Sequence, residues 1–291
     1  MPRALRVPCL VDLLVVEEAD AIRVLAVEAR LDRGVPVRAP PVNRMIARRV
    51  AAVLQLDGRP LPSAAPRDTP GRAEARDALE ARLAGRPVEE AHLDALADHV
   101  AGRGGRALGP LVEETGGRLF ASGFRASEET WQAARLLDEA ARSFNPVRRL
   151  VWALTGRVTG ARRLLAREVG GDPAALHTVA IAVHNLVVSL ERMRALAAGP
   201  GGRARYTPEQ AAALCLAAPP RVLRHATARG ATAHGEFRDG TLVVFCLEAA
   251  RARSLAHDIA FLTGSWSRCP AQAWVPALLA SVWQRAAARR P

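Results

Sequence analysis

Lysine is missing altogether: the 291-residue chain carries 41 basic side chains, and every one is arginine. Aromatics are also scarce, with one tyrosine and six phenylalanines, so the stacking platforms that single-stranded nucleic acids need are few. Neither a zinc-finger spacing nor an aromatic RNP-like strand is present. The balance of 41 arginines against 29 acids gives a formal charge of +12. Those arginines are scattered among Ala, Gly and Pro, however, and no nucleic-acid partner is expected; guanidinium groups equally suit an acidic partner or an anionic cofactor. The four cysteines, Cys9, Cys215, Cys246 and Cys269, have no paired spacing, which speaks against a disulfide framework or a zinc site and makes a reducing cytoplasm the expected location. No uninterrupted apolar run reaches the ~18 residues of a spanning helix, and no cleavage site follows Arg3 and Arg6, so no membrane partner is expected.

What is there is a globular composition, 49% hydrophobic and 24% charged, long enough to bury a large core. Residues 9–16, CLVDLLVV, have strand length, and the next fifteen have helical spacing. Seven prolines punctuate residues 35–72 around one amphipathic segment, 43–54. Helical patterns then fill 71–85, 88–101, 108–121, 127–142, 146–168, 174–198 and 207–218. Ser127 is an expected N-cap with an acidic first turn but no capping box. The 174–198 helix has the apolar centre TVAIAVHNLVVSL and should be buried, with His184 and Asn185 either as satisfied core groups or facing an internal ligand. Asp239-Gly240 leads into the strand TLVVFCL. The expected fold is mainly α with small β-sheet elements.

Cys269 stands where a Gly-bearing loop meets Pro270 and an apolar-periodic run. That pattern predicts a cysteine at a helix start, where the amide dipoles and the neighbouring Arg268 favour a thiolate. Around it the order is helix, Pro219-Pro220, Arg224-His-Ala, an Asp-Gly-Thr strand, Ala-Ala-x-Ala, a Phe-containing loop, then Arg-Cys-Pro-Ala-Gln and a helix. This order resembles the C-terminal half of the cytochromes P-450, the haem-thiolate monooxygenases. Residues 68–79, DTPGRAEARDAL, are similar to the family's Asp-Pro-Pro-x-His-x-x-x-Arg helix, with Arg72 and Arg76 at its two basic positions.

The resemblance implies a reduced P-450-like architecture in one domain, 1–291. Its parts would be a β/α and Pro-rich segment (1–70), a helical core (71–218), a small β region and loop (219–268) and a C-terminal helix (269–291). It further implies haem b, with Cys269 as the iron ligand, Arg72, Arg76 and Arg224 on its propionates and Arg268 beside the sulfur. The expected function is oxidation of a small organic molecule in specialised metabolism, with a redox partner or a partner enzyme. Three departures accompany the likeness. Ala213 and Leu216 replace the family's Glu-x-x-Arg pair; Leu262, Thr263, Ser265 and Ser267 replace Phe, Gly, Gly and His of the cysteine loop; and His184-Asn185 stand where an acid-alcohol pair relays protons. They point to a peroxide-using enzyme with His184 and Asn185 as its catalytic candidates, or alternatively to a haem-free P-450-like auxiliary protein that binds or activates an enzyme.

Overall fold

The computed structural model describes residues 2–61, 64–84, 86–143 and 145–289. In chain order the first elements are β1 (Arg3–Val7), β2 (Val11–Val16), α1 (Ala19–Ala26), β3 (Leu31–Asp32), α2 (Pro41–Val53), β4 (Gln55–Leu56), β5 (Arg59–Pro60) and α3 (Arg72–Ala84). A helical stretch follows: α4 (Glu90–Val100), α5 (Leu108–Arg118), α6 (Glu128–Arg142), α7 (Pro146–Thr155), α8 (Arg157–Glu168), α9 (Pro173–His177), α10 (Val183–Ala198) and α11 (Pro208–Cys215). The chain closes with β6 (Val222–Ala226), β7 (Gly230–Thr232), β8 (Gly235–Phe237), β9 (Leu242–Phe245), α12 (Leu247–Ser254), α13 (His257–Phe261) and α14 (Trp274–Ala288). Helix dominates and the sheets are small, as the periodicity predicts. Two compact units result, one of Met1–Ala75 with Ala218–Cys269 and one of Arg76–Ala217 with Pro270–Pro291.

The first unit is built on a five-stranded sheet in the order β1-β2-β9-β6-β3. Apolar residues of β2 and β9 pair in parallel, Leu13 with Leu242 through Val16 with Phe245, and both strands are largely buried. β6 lies antiparallel to β9, and the two-residue β3 is held to it by Leu31 opposite Ala226 and Asp32 opposite His225. β1 was not expected from the sequence. All five of its residues are exposed, so it has no buried face to impose the alternation by which a strand is read. Asn43 on α2, fully buried, ties the sheet ends together by donating to the carbonyls of Asp12 (2.6 Å) and Gly240 (2.9 Å). Gly240 has φ +79°, and a Cβ there would lie 2.1 Å from the Arg38 carbonyl oxygen, so this turn accepts no side chain.

The second unit packs α10 against α4, α5 and α11, with α14 against α4 and α11. Four sequence expectations change here. The single helix expected over 146–168 is two, because Gly156 adopts φ +63°, ending α7 and opening α8. The 174–198 helix is interrupted by a π-helical turn, Thr178–Ala182, in which the Val183 N–H reaches back to the Thr178 carbonyl. Ser127 does form a capping box: Thr130 takes the place of the usual Glu or Gln, its hydroxyl accepting from the Ser127 N–H at 2.9 Å. Finally, the continuous helical run Pro173–Ala198 meets the length and hydropathy of a membrane span. Its contacts with α4, α5 and α11 are those of a core helix.

Glu113 on α5 is fully buried beside that capping box, accepting from the Thr130 hydroxyl at 2.9 Å. Burial raises its pKa to about 8, against the opposing hydrogen bond. A carboxyl that is neutral when folded and ionised when unfolded stabilises the fold fully at acid pH and loses that contribution as pH climbs through the folded value. The difference in urea stability between wild type and Glu113→Gln should therefore fall from about pH 5 to about pH 8 with a limiting slope of about 1.4 kcal/mol per pH unit.

Candidate functional site

The first unit gathers arginines around one indole. Trp266 sits in the loop between α13 and Cys269, and four guanidinium carbons lie over its ring: Arg72 at 4.5 Å, Arg224 at 5.2 Å, Arg33 at 5.8 Å and Arg67 at 5.9 Å. Each is delivered by a different piece of backbone. Arg224 is the third residue of β6, and Arg33 follows β3, which the Asp32–His225 pairing brings beside it. Arg72 opens α3 and donates to the carbonyls of Ala65 and Trp266, both at 3.2 Å. Asp32 organises the remaining turn by accepting from the backbone N–H groups of Arg33 (2.6 Å) and Arg67 (2.7 Å).

Charge in this cluster is out of balance. Arg224 is 2% exposed and donates to the Leu223 carbonyl and to Ser267 Oγ, and no ion pair to a carboxylate is found for Arg33 or Arg224 among the described residues. Burial, reinforced by Arg33 and Arg72, holds Arg224 well below the usual guanidinium range, with Asp32 opposing. Burial and then Arg72 pull Arg33 down to about 9, with Cys269 and Asp32 opposing. Guanidinium groups stay protonated in proteins, so the imbalance amounts to a demand for an anion. Stacking on Trp266 meets part of it; a cation over an indole is worth about 0.5–2 kcal/mol.

The cysteine loop is shaped by its serines. Ser265 Oγ contacts Ser267 Oγ at 3.1 Å and accepts from the Ser267 N–H at 3.2 Å, while Ser267 holds Arg224. The residues that replace glycine and histidine of the family loop thus fasten an arginine from β6 to it. Cys269, half-buried, is fixed by its N–H donating to the Phe261 carbonyl at 2.8 Å. It does not open a helix as expected. Pro270–Ala273 form turns, and α14 begins only at Trp274, with Ala273 as an N-cap residue that offers no side-chain hydrogen bond. Arg33 is a source of positive charge near Cys269. Arg268 donates its N–H to the Ser265 carbonyl at 3.1 Å.

The remaining candidates belong to the second unit. Arg76 pairs with its neighbour Asp77 at 2.9 Å. His184, just past the π-helical turn, lies against α6, its ring 4.9 Å from that of Trp131 and hydrogen-bonded to backbone of Ala134 and Ala180. Burial lowers its pKa, partly offset by Asp138, and its Nε2 has no partner among the described residues. It lines an open groove of about 1040 Å³ together with Arg135, Asp138, Glu139, Arg142 and Arg157. Asn185 lends its carbonyl to the Ser189 hydroxyl at 2.9 Å.

No protein-family model and no curated protein matches the sequence. Solved structures do. Cytochrome P-450EX alpha with myristic acid aligns over 97% of this chain and 82% of its own, at 12% identity and a TM-score of 0.60. Cytochrome P-450 RauA, complexed with a biosynthetic intermediate of aurachin RE, aligns over 94% and 83% at 10% identity and 0.60. An OleT variant with arachidonic acid aligns over 98% and 82% at 13% identity and 0.57. The fold is that of the cytochromes P-450. Within this P-450 fold the sequence had pointed to Arg72, Arg224 and Cys269, which share the first unit, while Arg33, Arg67 and the ring role of Trp266 were missed. Only the β3–β6 pairing reveals Arg33, and a two-residue strand carries no readable period.

Proposed function

We propose that the chain is a haem-thiolate oxidoreductase that acts on a small organic molecule with peroxide as oxidant. The observation that carries this reading is the convergence of buried Arg224 with half-buried Arg33 and Arg72 on Trp266, with no carboxylate ion pair to Arg33 or Arg224 among the described residues, in the same unit as Cys269. The donor set fits haem b: guanidinium forks match propionate carboxylates, and the sulfur of Cys269, in a loop fixed by backbone hydrogen bonds, would hold the iron. When bound, a thiolate-ligated haem supplies oxygen-transfer chemistry in which the sulfur favours O–O cleavage. Arg33, Arg72 and Arg224 would hold the carboxylates, Arg268 would add positive charge next to the sulfur, and Trp266 would keep the guanidinium groups apart. Arg76, paired with Asp77, is left with a lesser part.

His184 is assigned to proton transfer. Burial lowers the pKa of its imidazole and favours the neutral ring, and Nε2, itself buried, has no partner among the described residues; it would accept a proton from peroxide brought within reach. Asn185 is its polar neighbour on the helix. His184→Ala should lower peroxide-driven turnover by about 10²-fold while the haem spectrum persists; unchanged turnover would remove His184 from the mechanism.

A haem-free auxiliary protein is the second reading, and Trp266 favours it, because the indole already covers all four arginines. The absorption spectrum of protein purified from haem-supplemented cells decides. A Soret band, with the red-shifted reduced carbon-monoxide adduct of thiolate ligation, supports the enzyme. A colourless preparation supports the auxiliary protein.

A further inference from the structure

Helix α7 presents an unpartnered apolar stripe. Val147, Leu150, Val151 and Leu154 are 68%, 60%, 47% and 78% exposed, and their spacing of i, i+3, i+4 and i+7 puts them on one face. The opposite face is anchored by the buried Trp152, and the helix start is fixed by Asn145, whose side chain accepts from the N–H groups of Val147 and Arg148. Such a face on a folded protein marks an interaction surface.

Charge around the stripe selects the occupant. Between Glu139 and Glu168 the sequence has seven arginines, Arg142, Arg148, Arg149, Arg157, Arg162, Arg163 and Arg167, and no acid. Arg148 is held by Glu139, Arg142 by Asp138 and Arg167 by Glu168, and with Arg149, Arg157, Arg162 and Arg163 besides, the sequence of α7 and α8 keeps a cationic excess. A second copy of the same surface would be repelled by it. An anionic bilayer answers both features at once, because its interior side takes the apolar face while its headgroups take the arginines.

We propose that α7 docks the protein on anionic lipid surfaces, lying in the interface without spanning the bilayer. The attachment is independent of whether haem is bound. A sequence without a spanning run, from which no membrane partner was expected, is compatible with it, since an interfacial helix needs only one apolar face.

Cosedimentation with vesicles tests this. Wild-type protein should pellet with phosphatidylcholine vesicles containing phosphatidylglycerol and stay in solution with phosphatidylcholine alone. The double variant Leu150→Ser with Leu154→Ser keeps every charge and alters only exposed side chains; it should lose binding by at least about tenfold, with circular dichroism unchanged. Full binding by this variant would mean adsorption through net charge alone and would overturn the proposal. So would an absence of wild-type binding, or concentration-dependent dimerisation that the same substitutions abolish. A control variant that opposes the stripe electrostatically, Leu154→Glu, should bind more weakly still.

Discussion

Cys269→Ala is expected to abolish the red-shifted reduced carbon-monoxide band while leaving the fold intact. The cysteine side chain is half-buried, and what positions residue 269 is its backbone N–H on the Phe261 carbonyl at 2.8 Å, a bond any residue but proline retains. Loss of the thiol should therefore cost less than about 1 kcal/mol of stability. The spectroscopic effect is all or none, because the other three cysteines, Cys9, Cys215 and Cys246, lie elsewhere in the chain and Cys215 and Cys246 are buried. Any haem that remains in the variant would be ligated by another residue and lack the thiolate signature. Retention of that signature in Cys269→Ala would refute iron ligation by this residue.

The second large effect has opposite signs for stability and for binding. Arg224→Met should stabilise the haem-free protein, by about 1–4 kcal/mol on the precedent of buried charges replaced by apolar isosteres, and should weaken haem retention by at least about tenfold. Arg224 is nearly inaccessible, shares its surroundings with Arg33 and Arg72, and has a carbonyl, a hydroxyl and the Trp266 ring as partners but no carboxylate ion pair among the described residues. Removing it relieves that repulsion. Ser267 stays satisfied through Ser265 at 3.1 Å. A site that holds three like charges together against the single nearby carboxylate of Asp32 is stable only to the extent that its surroundings over-determine it, which is the usual trade between stability and function. Urea unfolding of the haem-free forms, paired with haem titration, reads both signs. A strongly destabilised Arg224→Met would identify the cluster as structural and count against an anion site.

The departures from the family loop carry part of this argument. Ser265 and Ser267 are not vacancies left by glycine and histidine; they form the brace that holds Arg224 to the loop. Trp266, unremarkable in the sequence, is the surface on which four arginines converge. Such convergence cannot be read along the chain, since Arg33 and Arg224 are almost two hundred positions apart and are joined by a strand of two residues.

By itself the sequence determined the helical class, the positions of most helices and the likeness of residues 68–79 and 219–279 to the P-450 pattern, because periodicity, caps and spaced motifs are local properties. It also determined the excess of arginine. Only the tertiary structure decided which arginines share a site, that Gly156 and the π-helical turn break two expected helices, that Cys269 precedes its helix by five residues and that α7 leaves its apolar stripe uncovered. The physical reason is common to all four. Left-handed turns, long-range strand pairing and burial depend on what a segment packs against, and a residue's neighbours in space are not fixed by its neighbours in sequence.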